Sequence, residues 1–277
     1  MKLSIITINY NNATGLKKTL DSVVCQTWGD FEHIIVDGVS SDESVQYITN
    51  YCEQVANRYP VRWVSEKDSG IYNAMNKGIR VAKGEYCLFL NSGDCLADEQ
   101  VLDKVFAIDF NEDVVYGFLK LDYGDHLELG YSPRHVTLMT FVQGTIPHSG
   151  NAFIRRDAFE RWGLYDESLK IVSDWKWFIK TIIQCDASCR YIDVLLSVFD
   201  CAGISSTKQD LMFEERERVL HELVSERILQ DYQYFLDVDS RLCETELKVR
   251  SSLRYRIGDF VLRPITWMRK YLNKTKL

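Results

Sequence analysis

At 277 residues the chain can form one large domain or a domain with an appendage, and a hydrophobic content of 46% supplies a core without disulfide staples. A net charge of −7 argues against nucleic acid as the main partner, and no run of about eighteen apolar residues offers a membrane span. Eight cysteines, with no Cys-x-x-Cys pair and no histidine cluster at zinc-like spacing, read as reduced core residues; with an amino terminus that reads as a strand and not a signal peptide, they give the expectation of a cytoplasmic protein.

Short β-branched runs alternate with amphipathic helical patterns from the start: strand 3–8, helix about 14–27, strand 31–36, helix about 41–56, strand 61–65, helix about 71–82 and strand 85–90. That rhythm predicts an α/β fold with a mostly parallel central sheet flanked by helices, whose ligand sits outside the carboxyl ends of the strands. From about residue 113 the texture becomes mixed and more antiparallel, with a strand at 113–119, a hairpin around Gly124, a strand at 148–155, a helix near 157–162 and another from about 173. After Gly203 the pattern is charged, periodic helix, from Gln209 to Phe235 and again from about Ser240, which predicts a helical C-terminal extension.

The end of that extension changes sign. Lys248, Arg250, Arg254, Arg256, Arg263, Arg269, Lys270, Lys274 and Lys276 face a single acid, Asp259, while Leu253, Ile257, Val261, Ile265, Met268 and Leu272 recur at helical spacing. Two readings stand: a helix packed on the body with a solvated basic face, or an interfacial helix over residues 250–277 drawn to anionic lipid at the inner face of the membrane.

Polar residues gather where the predicted strands end: Thr7, Asn9 and Asn11 after the first, Asp37 after the second, Glu66 and Asp68 after the third, Asp94 after the fourth. The chain contains no G-x-G and no P-loop, so glycine cradling of a phosphate is not the mechanism. A carboxylate holding magnesium or manganese is the other way to neutralise a diphosphate. Ser92-Gly93-Asp94 keeps the frame of a D-x-D motif, although Asn91 to Asp94 is also ordinary turn chemistry. Ser40 and Glu43 have capping-box spacing, which leaves Asp37 unexplained. Ser173 and Asp174 sit where a helix cap is expected before Trp175. His148 alone reads as a structural histidine, and Trp175 and Trp177 read as core before they read as sugar platforms.

The segments "SIITINYNN", "IIVDGVSSDES", "EKDSGIYNAMNKGI", "GEYCLFLNSGD" and "YDESLKIVSDWKWFIK" follow the order and approximate spacing of glycosyltransferase family 2, which the chain resembles over roughly residues 1–205. It looks closest to the bacterial capsule and exopolysaccharide branch. The resemblance implies a GT-A, Rossmann-like fold with a nucleotide-binding half at 1–97, an acceptor half at 98–205, and an extension at 206–277. It implies an inverting transferase that moves a sugar from a nucleotide-diphosphate donor, a UDP-sugar, to a hydroxyl of a glycan or lipid-linked acceptor in surface polysaccharide biosynthesis, with a divalent Mn or Mg ion.

Carried over residue by residue, the resemblance places Thr7, Asn9 and Asp37 around the nucleoside, with Asp37 accepting from the base. Asp68 falls on the uridine or ribose side, Asn76 and Lys77 near the sugar or diphosphate, and Ser92 at the ribose or phosphate. Asp94 becomes the metal ligand, His148 a neighbour of the diphosphate or acceptor, and Asp174 the general base. Val39 stands where the family has Ser or Asn, and Ser92 replaces the first Asp of D-x-D, so metal binding rests on Asp94. Two other readings remain: a sugar nucleotidyltransferase, which Asn9-Tyr10-Asn11-Asn12 does not suit because it lacks a glycine-rich basic loop, and a catalytically silent carbohydrate-binding subunit.

Overall fold

The computed structural model describes residues 1–251, so the basic tail from 252 onward lies outside the described residues. The first half alternates β1 (Leu3–Asn9), α1 (Ala13–Val24), β2 (Phe31–Asp37), α2 (Ser44–Val55), β3 (Val61–Ser65), α3 (Ile71–Val81) and β4 (Tyr86–Phe89). Every residue of β1, β2 and β4 is buried, the signature of parallel strands covered on both faces. In α1 the buried positions Gly15, Leu16, Thr19, Leu20 and Val23 form one helical stripe, and the Asn12 side chain caps its start by accepting from Gly15 N–H.

The second half contains β5 (Cys95–Leu96), α4 (Val101–Phe106), β6 (Val114–Asp122), β7 (Leu127–Leu129), α5 (Leu138–Gln143), β8 (Ala152–Arg155) and α6 (Arg156–Trp162). Then come α7 (Ser173–Phe178), which runs on as a π-helical stretch Ile179–Gln184, β9 (Cys189–Asp200), α8 (Ile204–Thr207), α9 (Gln209–Leu223) and α10 (Glu226–Ser251). One mixed sheet runs β3-β2-β1-β4-β8-β6-β9-β5, with β7 hairpinned onto β6. Its long pairings, β1 with β2 and β6 with β9, are parallel, whereas the antiparallel ones are short.

Register is what places the chemistry. Asn9 pairs with Asp37 and Asp37 with Ser65, so three polar residues end three neighbouring strands at one level. Beneath that edge Leu3, Ile5, Leu16, Phe31, Ile35 and Leu88 pack into a core that fixes it.

Several expectations from sequence need correction. The twelve-residue β9, together with β5, α4 and α5, was not anticipated, because Arg190 and Asp193 interrupt the apolar pattern of β9 and the other three are only two to six residues long. The helical extension breaks at residues 224–225 and then runs unbroken through Ser240. Ser40 and Glu43 do not form a capping box: α2 starts at Ser44 with no side-chain cap, and the Ser40 hydroxyl turns to Asp37. No helix among the described residues is long and apolar enough to cross a membrane.

The chain divides into two compact units, the first Met1–Leu223 and the second from Val224, and α9 belongs to the first. A buried acid explains why. Glu215 of α9, 5% exposed, accepts from the backbone N–H groups of Lys170 and Ile171 at 2.7 and 2.9 Å and from Val172 at 3.3 Å. Lys176 reinforces the seat with an ion pair to Glu222 at 2.7 Å. Glu215→Ala leaves those N–H groups without their acceptor and is expected to lower unfolding free energy by about 2 kcal/mol or more in urea denaturation; an unchanged midpoint would show that α9 is held by other contacts.

Candidate functional site

The carboxyl ends of β1 and β2 form the first cluster. Asp37, wholly buried, accepts from Asn9 Nδ2 at 2.9 Å, from the Ser40 hydroxyl and backbone N–H at 2.5 and 2.9 Å, and from the Ser65 hydroxyl at 2.6 Å. Burial pushes its pKa up, but the Ser40, Ser65 and Asn9 donors outweigh that and hold it below the ordinary carboxylate range. The same Ser40 hydroxyl accepts from Asn11 N–H at 2.8 Å, while Asn11 Oδ1 accepts from Ser41 N–H at 2.8 Å. Two loops are thereby locked together, with Val39 carried at a positive φ of 65° and left 55% exposed. A β-branched residue in that region is strained, and the clamp around it holds the strain. Asp68 closes the group from the β3 side: a Cβ on Gly38 would lie 2.8 Å from Asp68 Oδ2, so only glycine permits this approach.

Asp94 centres the second cluster. It is 3% exposed; Oδ2 accepts from the Ser149 hydroxyl at 2.5 Å and Oδ1 from the Asp200 N–H at 2.8 Å. Burial pushes its pKa up to about 6 against those two hydrogen bonds, and the Asp200 carboxylate adds to the rise while Lys18 opposes it. Gly93 takes φ +111° here and has Asp200 Oδ2 at 2.8 Å from where a Cβ would stand, which makes glycine obligatory. Ser92 sits alongside, its carbonyl accepting from Asn12 Nδ2 at 3.1 Å.

A cleft of about 420 Å³ adjoins this second cluster; its walls include Tyr72, Asn91, His148, Ser149, Asp174 and Arg216. Asp174 is not a cap: α7 begins at Ser173 with no side-chain cap, and Asp174 Oδ1 instead accepts from the Tyr72 hydroxyl at 2.7 Å. Its Oδ2 lies 3.9 Å from His148 Nδ1. His148 is stacked on Phe89 at 4.8 Å and bonded through Nε2 to the Tyr165 hydroxyl at 2.7 Å; burial lowers its pKa, with Asp174 pulling the other way, so the ring is neutral at pH 7. The turn before β8 therefore touches both acids, with Ser149 on Asp94 and His148 against Asp174.

Not every residue named from sequence faces a cleft. Thr7 is wholly buried and bonded to His33 Nε2 at 2.9 Å, inside a polar chain that continues to Tyr51 and Tyr59; burial pushes His33 down to about 3. Asn76, 1% exposed, clamps α3 to the loop before α7 through Tyr165 N–H, Tyr165 C=O and Glu167. Lys77 closes its own loop, bonding Lys67 C=O at 2.9 Å and pairing with Glu66 at 3.0 Å. Trp175 and Trp177 are core, 2% and 3% exposed, their indole N–H groups donating to backbone carbonyls. Asp37, Asp68 and Asp94 lie outside the cleft wall; Asp94 reaches it through Ser149. Sequence reasoning missed Tyr72, Ser149, Asp200 and Arg216. Tyr72 was legible within "EKDSGIYNAMNKGI", while Arg216 lies in a charged helix with nothing to mark it.

The comparisons bear on what this arrangement is. The family profile described as glycosyl transferase family 2 matches residues 4–163. The chain belongs to that family. It is 30% identical over 222 residues to a PGL/p-HBAD biosynthesis glycosyltransferase of Mycobacterium bovis, covering 77% of this chain and 82% of the relative. A glycosyltransferase of Mycobacterium tuberculosis is 32% identical over 213 residues, covering 75% and 78%. Among solved structures, S. aureus TarS in complex with UDP superposes with a TM-score of 0.60 at 20% identity, covering 83% of this chain and 69% of that one. The Pyrobaculum calidifontis mannosyltransferase PcManGT, solved with GDP-Man and Mn2+, gives 0.60 at 15% identity, covering 93% and 82%. The fold is thus GT-A and the protein a glycosyltransferase.

Among the described residues no three His, Cys, Asp or Glu side chains form a cage for a metal. The donor set instead fits a hard cation shared with a diphosphate: Asp94 is accompanied by the buried, unpartnered Oδ1 of Asn91, and Ser149 ties the two residues together. Because the folded pKa of Asp94 is raised, its protonation stabilises the fold fully below pH ~4, and this contribution is lost as pH rises through about 6. Asp94→Asn is therefore expected to be more stable than the parent at pH 8 by about 2–3 kcal/mol, with a flatter stability profile between pH 4 and 6. Equal or lower stability of this variant at pH 8 in urea titrations would contradict the uncompensated charge.

Proposed function

We propose that the protein is an inverting glycosyltransferase that takes a UDP-sugar and a Mn or Mg ion and glycosylates a hydroxyl of a glycan or lipid-linked acceptor for a surface polysaccharide, of the capsule and exopolysaccharide type. The observation that carries the reading is the turn at 147–149, which couples Asp94 through Ser149 and approaches Asp174 through His148 across one cleft. Structures of TarS with UDP and of PcManGT with GDP-Man and Mn2+ support the nucleotide-diphosphate donor and the cation.

In this reading the nucleoside lies along Asn9, Asp37 and Asp68, over Val39. Asp37 acts chiefly by ordering Ser40 and Asn9, since its own acceptor positions are already engaged. Asp94 and Asn91 would hold the cation, which when bound would offset the charge of the departing diphosphate. Asp174 takes the proton of the acceptor hydroxyl as that oxygen bonds the anomeric carbon and the bond from that carbon to the diphosphate oxygen breaks. Tyr72 holds Oδ1 of Asp174, leaving Oδ2 on the side of His148 to receive the proton. Asp174 is the only acid among the described residues lining the cleft, which supports a single-displacement, inverting course over one that needs a second, nucleophilic carboxylate.

Thermal-shift titration with UDP, with and without manganese, is expected to raise the melting temperature only when both are present in excess. Asp174→Asn is expected to cut turnover by about 10²–10⁴ while leaving that shift intact. Tyr72→Phe, which loosens the same carboxylate, is expected to cost about tenfold in kcat with little change in donor KM. Full turnover by the Asp174 variant would remove the proposed base.

A further inference from the structure

The cleft holds a cation that the proposed chemistry does not use. Arg216 of α9 lines the wall with its guanidinium 5.1 Å from the Trp175 ring, and its Nε is buried without a hydrogen-bond partner. It makes no hydrogen bond or ion pair among the described residues; burial lowers its pKa and the Asp174 carboxylate acts on it from a distance. Its position is not accidental drift of a surface side chain. The preceding residue, Glu215, ties α9 to the backbone of 170–172, two residues before Asp174, so the helix and the guanidinium are held against the cleft.

Charge in this cleft is unbalanced. The described lining residues include two cations, Lys170 and Arg216, and one acid, Asp174, while His148 is neutral. Asp174 has its own partners in Tyr72 and His148 and does not close an ion pair with Arg216. Much of the remaining wall is apolar, including Ile71, Met75, Leu119, Leu121 and Phe199. A guanidinium in such a setting leaves its desolvated Nε–H without a protein acceptor, and its planar fork matches a carboxylate or a phosphate.

We infer that Arg216 recognises an anionic group, a carboxylate or a phosphate, on the sugar-bearing substrate that occupies the cleft, so that the enzyme selects a charged acceptor or a charged donor sugar over a neutral one. The inference rests on the glycosyltransferase reading of the cleft and adds the charge of its occupant. The nucleotide's own diphosphate is assigned to the Asp94 side, so the group read by Arg216 is an additional one.

The test is a ligand-detected NMR titration of the full chain with methyl glucuronide, glucose 6-phosphate and neutral methyl glucoside, each with and without saturating UDP and manganese. At least one charged sugar is expected to bind about tenfold or more tightly than the neutral one, and which of the two does so separates carboxylate from phosphate recognition. Arg216→Gln is expected to abolish the preference and Arg216→Lys to keep part of it, in variants whose melting temperatures show that they fold. Equal binding of charged and neutral sugars, or a preference that survives in Arg216→Gln, overturns the inference. A loss of UDP affinity in Arg216→Gln with sugar preference unchanged also overturns it, by assigning the guanidinium to the nucleotide. Failure of wild-type protein to bind UDP would instead count against the donor assignment, and the nucleotide-free titrations would still read the charge preference.

Discussion

The parallel register that sets Asn9 beside Asp37 and Asp37 beside Ser65 is the constraint on which the site depends. A parallel sheet delivers all its carboxyl ends to one edge, and there the backbone turns away from the core with its polar side chains in a row. A one-residue slip of β2 would send Asp37 into the opposite face and leave Asn9 and Ser65 facing apolar side chains. Core packing of β1, β2 and β4, buried on both faces, makes such a slip costly. The hydrophobic interior is thus what fixes the polar edge.

Two buried carboxylates on that edge are treated oppositely. Asp37 collects donors from Asn9, Ser40 and Ser65 and is held ionised, so it behaves as a structural anchor for the loops that bracket it. Asp94 has only the Ser149 hydroxyl and the Asp200 N–H, with another carboxylate close by, and stays short of positive charge. An ionised carboxylate in that position is costly to the fold, a cost that the proposed cation would offset. Asp174 differs again, partly exposed in the cleft and held by a tyrosine hydroxyl, which suits a group that must receive a proton.

Much of this was legible in the sequence, and what was not has physical reasons. The strand and helix alternation of the first ninety or so residues reads directly from periodicity, because strands covered on both faces are continuous apolar runs. The acids at strand ends followed from the same pattern. Thr7 and Asn76 occupy motif positions yet are bonded inside the fold, and Lys77 ties down its own loop, distinctions that lie in which way a side chain points and not in its spacing. Ser149, Asp200 and Glu215 escaped notice because each acts on a partner at least 43 positions away, as in Glu215 and Val172, and single-sequence patterns carry no information at that range. Strand β9 was missed because it is only partly buried and carries charged residues through its first half.

The central claim is that one continuous edge, from the Asn9 and Asp37 cluster through Asp94 to the Asp174 cleft, receives a nucleotide sugar with its cation. The most direct measurement is an anomalous difference map from a crystal of the protein grown with UDP and manganese. The account predicts a single manganese peak on the Asp94 carboxylate, the uracil over Val39 between Asp37 and Asp68, and the cleft beside Asp174 left open for the sugar and acceptor. A manganese peak away from Asp94, or UDP bound in the Asp174 cleft itself, would contradict it.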